Sequence, residues 1–195
     1  MRSLAALSVY LKVFFTIAVL TSASVSYGQS INAKWKQDLE TTLEEFLKCK
    51  TTASDDNRCH QFIGESLNKV YKINDFYSQK SGKFMAVSEI AEFLKSNSKW
   101  ELLGHSYDQK TLETAQEHAN AKKAVVALYL TPEGTGHAVV ITPGELKPSG
   151  SWGLLVPSAV SFFSTEPSKS FVDKGLSYAF AKNMLKDVQI YGRNY

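Results

Sequence analysis

The sequence contains little that would indicate a metalloprotein, a nucleic-acid-binding protein or a disulfide-dense scaffold. It has 2 cysteines and 4 histidines, and no two of these histidines stand at metal-ligand spacing. Its 22 basic residues are interspersed with 19 acidic ones and form no run or cluster. We therefore expect neither a metal nor a nucleic-acid partner. No internal repeat or low-complexity segment is present.

The N-terminus predicts a secretory signal peptide over residues 1–28. Arg2 and Lys12 are its only charges, an apolar run over residues 13–20 follows, and small residues lead to Gly28. A basic start, a short apolar run and a small-residue exit are typical of export signals. Cleavage after Gly28 satisfies the small-residue requirement, and cleavage near Ala23 is an alternative.

The apolar run is shorter than the ~20 residues that a bilayer crossing needs, although an uncleaved membrane anchor is the competing interpretation. We expect an exported protein, periplasmic or extracellular, with no stable membrane span after cleavage. Removal of residues 1–28 leaves residues 29–195, with 20 basic and 19 acidic side chains. This length is typical of a single domain and suffices for a hydrophobic core without disulfides.

The periodicity of apolar residues changes along the mature chain, from helical in the first half to strand-like in the second. It predicts helices over residues 31–48, 59–71, 87–95 and 108–121, the last mostly polar and exposed. It predicts strands over residues 124–130, 137–142 and 152–156, with a further edge strand over residues 188–191. Short connections between the strands indicate antiparallel pairing, so the predicted fold class is α+β.

Cys59 and His137 are the residues best placed for nucleophilic chemistry. Cys59 opens a predicted helix, whose N-terminal partial positive charge lowers the pKa of a thiol. His137 follows a glycine-containing turn and opens a strand, so its ring is predicted at the sheet rim. If this strand pairs with residues 152–156, Ser158 lies near His137 and can orient the imidazole as the third member of a triad.

The order of these residues resembles that of papain-like cysteine hydrolases. The segment Cys-His-Gln-Phe-Ile-Gly from Cys59 is similar to the nucleophile helix of the CHAP and NlpC-type peptidoglycan hydrolases. Gly-His-Ala-Val-Val around His137 is similar to their histidine strand. The resemblance covers residues 57–158 and departs at Ser158, where these families usually carry an amide, a carboxylate or a histidine.

The resemblance implies a papain-like fold and cofactor-free cleavage of amide bonds in cell-wall peptide. Peptidoglycan or another peptide is then the substrate, and an inhibitory partner protein is expected to restrain the activity. The backbone N–H of Cys59, with Asn57 or Gln61, is expected to face the oxyanion. Trp152 adjoins the expected cleft, where it either stacks on substrate or packs in the core.

A disulfide between Cys49 and Cys59 is the competing interpretation, since an even cysteine count in an exported chain favours pairing. Under this interpretation the protein is a non-catalytic exported binding or inhibitor domain, and His137 is a structural strand residue.

Overall fold

The computed structural model describes residues 30–49 and 61–195. The predicted signal peptide and two of the predicted site residues, Asn57 and Cys59, lie outside these ranges. Among the helices of the described ranges, none combines the length and hydrophobicity that a bilayer crossing requires.

All four predicted helices are found, with ends that differ from the predictions by a few residues. They are α1 (Trp35–Lys48), α2 (Phe62–Tyr71), α3 (Val87–Ser96) and α4 (Gln109–Asn120). Each carries an apolar face at the spacing that brings residues three and four apart together. The first predicted residues of α2 lie outside the described ranges, and Gln61 directly precedes the helix.

The prediction that α4 is exposed is wrong, because one of its faces is buried against the sheet. Thr111, Leu112, Ala115, Gln116 and Ala119 line this face. The side-chain amide of Gln116 makes two hydrogen bonds in the interior. Its Nε2 donates to the Thr142 carbonyl, and its Oε1 accepts from the Ser158 N–H. A polar helix face can thus be buried when its side chains satisfy backbone groups.

The described strands form one six-stranded antiparallel sheet and two small hairpins, so the α+β prediction is confirmed. The strands are β1 (Tyr77–Ser78), β2 (Lys83–Phe84), β3 (Trp100–His105), β4 (Val125–Leu130), β5 (Gly136–Ile141), β6 (Lys147–Ser149), β7 (Leu154–Val156), β8 (Ser158–Ser161), β9 (Phe171–Gly175) and β10 (Gln189–Arg193). The order in the large sheet is β3-β10-β4-β5-β8-β9, and β1–β2 and β6–β7 form the hairpins.

Two strand predictions are wrong. The C-terminal strand β10 was expected at an edge, but it pairs with both β3 and β4 inside the sheet. The histidine strand β5 was expected to pair with residues 152–156, but it pairs with β8, while β7 pairs with β6. Pro157 lies between β7 and β8 and has no backbone N–H to continue one ladder, so the two short strands join different sheets.

Contacts between aromatic rings hold α1 and α2 against the segment that follows β8. The rings of Phe46 in α1, Phe62 in α2 and Phe162 after β8 lie with centroids 5.1–5.6 Å apart. At the other end of α2, the Tyr71 hydroxyl is buried and donates to the Ile141 carbonyl at the end of β5. These contacts fix the start of α2 relative to β5 and to the segment after β8.

Candidate functional site

His137 is the second residue of β5, where the strand enters the sheet from the turn that follows β4. Its imidazole is half-buried between two phenylalanine rings. Phe163 stacks on it with centroids 4.4 Å apart and an interplanar angle of 16°, and Phe180 contacts it edge-on at 5.6 Å. The ring is therefore held in one plane at the rim of the sheet.

A single hydrogen bond orients the His137 ring. Its Nε2 lies 2.7 Å from the Oγ of the buried Ser161, and its Nδ1 makes no hydrogen bond to any described residue. Burial lowers the pKa of His137 to about 4. The ring is therefore neutral near pH 7, and Nδ1 can accept a proton when Nε2–H donates to Ser161.

Ser158, the predicted third member of the triad, does not contact His137. Its backbone carbonyl accepts from the Thr142 N–H, so it lies about 16 Å along β5 from His137. Its hydroxyl donates to the Glu145 carbonyl. In the observed register Val140 faces Val160, and side chains alternate between the two faces of a strand. Ser158 therefore points to the face of the sheet opposite His137.

Ser161 was missed because the sequence does not state which strand pairs with β5. Once β8 is the partner, the alternation of side chains puts Ser161 on the same face as His137. The two residues are then diagonal neighbours across the strand pair, within reach of an imidazole side chain. Phe163 and Phe180 were missed for the same reason, since each contacts His137 only through tertiary packing.

A cavity of about 360 Å³ opens beside His137, and we call it the His137 cavity. Four parts of the chain line it: the start of α2, the start of α3, the turn that leads into β5, and the segment after β8. Phe62 and Ile63 supply the α2 wall, and Ser164 and Thr165 add hydroxyl groups. At Gly136 a side chain would collide with the Tyr129 carbonyl, so glycine is required where the turn enters β5.

Cys59 lies outside the described residues, two positions before Gln61 in the sequence. Gln61 is half-buried directly before α2, and its carbonyl accepts from the Glu65 N–H at 3.2 Å. Its side chain does not cap the helix. The start of α2 and His137 thus border one cavity.

Trp152 packs in the core and is 4% exposed. It is not among the described residues that line the His137 cavity. Its indole N–H donates to the Phe180 carbonyl at 3.1 Å, and Phe180 in turn contacts the His137 ring. Of the two roles predicted for Trp152, this geometry favours packing, with an indirect role in positioning His137.

Cys49 follows α1 and is disulfide-bonded. The sequence contains one further cysteine, Cys59. A disulfide within one chain would therefore consume the predicted nucleophile, and the redox state of Cys59 decides which chemistry the cavity can support.

No protein-family model matches the chain, and a search of curated proteins finds no significantly similar sequence. The described residues supply an oriented neutral imidazole, a helix start and a cavity of about 360 Å³ that both border.

Proposed function

We propose that this protein is an exported cysteine hydrolase that cleaves amide bonds in cell-wall peptide, with Cys59 as nucleophile and His137 as general base. One observation carries the proposal. His137, whose ring is oriented by Ser161, borders the same cavity as the start of α2, and Cys59 stands three residues before Phe62. A helix start beside a fixed imidazole is the environment that activates a thiol.

In the proposed reaction, Nδ1 of His137 takes the proton from the Cys59 thiol. The thiolate sulfur attacks the carbonyl carbon of the scissile amide, and the C–N bond breaks as His137 returns the proton to the leaving amine. Water then hydrolyses the thioester, again with His137 as base, and regenerates the thiol. Burial disfavours the charged imidazole, whereas a neighbouring thiolate favours it, so the two groups titrate as a pair.

The start of α2 supports the charge that develops during the attack. Unpaired backbone N–H groups in the first turn of a helix carry a partial positive charge. The Cys59 N–H, with Asn57 or the side chain of Gln61, is proposed to face the oxyanion. The half-buried position of Gln61 next to Phe62 supports its part in this assignment.

The cavity and the resemblance to CHAP and NlpC-type hydrolases support the proposed substrate class. Phe62, Ile63 and Phe162 offer apolar surface to small side chains, and Ser164 and Thr165 offer hydroxyls to peptide groups. A papain-like arrangement of α2 and β5 is part of this proposal. An inhibitory partner that covers the His137 cavity would protect the producing cell.

Turnover of purified peptidoglycan by the mature chain tests the proposal under reducing conditions. We expect soluble peptide fragments from wild type and none from Cys59→Ala. Cys49→Ala serves as the matched control, because it removes the other sulfur and should retain activity. Equal release by wild type and Cys59→Ala, or no release by any variant that folds, would sink the hydrolase proposal.

A second function, that of a non-catalytic exported binding or inhibitor domain, is favoured by the disulfide at Cys49. If Cys59 is its permanent partner, no thiol remains for catalysis and the bond stabilises the fold instead. The two functions differ in what reduction does. If the protein is a hydrolase, reduction of the disulfide at Cys49 should activate it. If it is a binding domain, the same reduction should lower its stability and release no activity.

A further inference from the structure

A second cavity of about 640 Å³ lies on the other side of the turn that joins β4 to β5. We call it the distal cavity. Residues that line it include Ala91, Lys95, His105, Thr131, Lys186 and Asp187. The function proposed above does not use it.

The distal cavity and the His137 cavity share two walls. One is the face of α3 that carries Val87, Ala91 and Lys95, spaced four residues apart. Residues at this spacing lie above one another along a helix, so the shared wall is about 12 Å long. The other wall is the turn between β4 and β5, whose residues 131–132 border the distal cavity and residues 134–136 the His137 cavity.

A wall of this length matches a short extended peptide. An extended chain rises about 3.3 Å per residue, so 12 Å accommodates three to four residues. The turn itself is held by its own hydrogen bonds, since the Thr131 N–H donates to the Thr135 carbonyl at 2.7 Å and the two hydroxyls lie 2.8 Å apart. It therefore forms a defined rim that a peptide can follow from one cavity to the other.

The charges of the distal cavity favour an anionic group at its end of the peptide. Two exposed lysines, Lys95 and Lys186, and one aspartate, Asp187, line this cavity. Lys186 forms no ion pair with any described residue, and Lys95 is 3.6 Å from the exposed Glu92. The lysines are thus available to a carboxylate ligand.

We infer that the two cavities form one groove along α3, in which Lys95 and Lys186 bind a carboxylate three to four residues from the amide bond at His137. This deepens the proposed function and rests on it for the identity of the occupant, a peptide. The groove would make the enzyme select peptides by the distance between the scissile bond and a carboxylate.

The test is an NMR titration of the mature chain carrying Cys59→Ala, which binds without turnover. The probes are N-acetylated tetra-alanine with a free terminal carboxylate, its C-terminal amide, and an amidated analogue with glutamate as last residue. We expect amide shifts along both α3 and the β4–β5 turn, and about tenfold tighter binding of a carboxylate peptide than of the neutral amide. The third probe distinguishes a side-chain carboxylate from a terminal one.

Lys95→Gln/Lys186→Gln should abolish this preference and leave binding of the neutral amide unchanged. Lys182→Gln, an exposed lysine of the segment before β10 that does not line either cavity, is the matched control and should keep the preference. Equal affinities for all three probes, or no shifts at millimolar peptide, would overturn the groove. If the Cys59→Ala protein prefers the carboxylate peptides but the wild-type protein cleaves no peptide, the groove proposal stands and the hydrolase proposal is overturned.

Discussion

His137 and His118 are both partly buried, and burial lowers the pKa of each. For His118 the nearby Lys123 lowers it further. Their surroundings differ. His137 borders a cavity and has a hydrogen-bond partner, Ser161, whereas Nδ1 of His118 is buried without a partner among the described residues and packs close to Gly192.

The comparison shows that a lowered histidine pKa does not by itself identify a site. Both rings are kept neutral by the same cause, desolvation. Of the two, only His137 combines that neutrality with a hydrogen-bonded ring and a position in the lining of a cavity that the start of α2 also borders. This position, with which the pKa agrees, supports the proposal that His137 is the base.

The largest expected difference between the two histidines is in turnover. His137→Ala should lower kcat on peptide substrate about 10²- to 10⁴-fold, the usual contribution of a general base. His118→Ala should leave kcat unchanged, although the loss of a partly buried ring should lower the stability of this variant. Activity assays at 25 °C on variants whose circular dichroism matches wild type make the measurement. Equal losses of kcat in both variants would contradict the proposed role of His137 as base.

Acid stability should respond to His137 as well. Its pKa is about 4 in the folded protein, below the ordinary 6.5, so the unfolded chain binds the proton first as the pH falls. The contribution of the neutral ring to the free energy of unfolding is complete above pH 6.5. As the pH falls towards 4 this contribution is lost, by up to about 3 kcal/mol. Urea unfolding of wild type and His137→Gln at both ends of this range tests it. Identical pH dependence in the two proteins would contradict the burial of His137.

A smaller effect is expected from the hydroxyl that orients His137. Ser161→Ala should lower kcat about tenfold and leave KM unchanged, because the ring loses its one hydrogen-bond partner but keeps its phenylalanine contacts. Ser158→Ala is the matched control on the same strand. It loses a bond to the Glu145 carbonyl and should cost about 1 kcal/mol of stability without a change in kcat. If Ser158→Ala lowered kcat and Ser161→Ala did not, Ser158 would be the orienting residue instead.

The helices and the central strands could be predicted from the sequence because their signals are local. In α3, Ile90, Ala91 and Leu94 repeat at helical spacing and are buried as a group. In β4 and β5, continuous apolar runs mark strands that are covered on both faces.

Strand pairing could not be predicted, because it depends on residues far apart in the sequence. The segment over β3 mixes Glu101, Leu102 and Gly104 without alternation, and it becomes a strand by pairing with β10. Likewise, two short apolar strands flank Pro157, and nothing local decides which of them pairs with β5. The error in the third site residue, Ser158 in place of Ser161 beside His137, follows directly from that choice.

The state of Cys59 tests the central claim most directly. Native mature protein, with no reductant and after mild reduction, would be labelled with iodoacetamide across pH 5 to 8 and the modified peptides mapped by mass spectrometry. The account predicts rapid labelling of Cys59 below pH 7 once the thiol is present, and its loss in His137→Ala. A Cys49–Cys59 crosslinked peptide that resists mild reduction, or a reduced Cys59 that reacts only at the pH of an ordinary thiol, would contradict it.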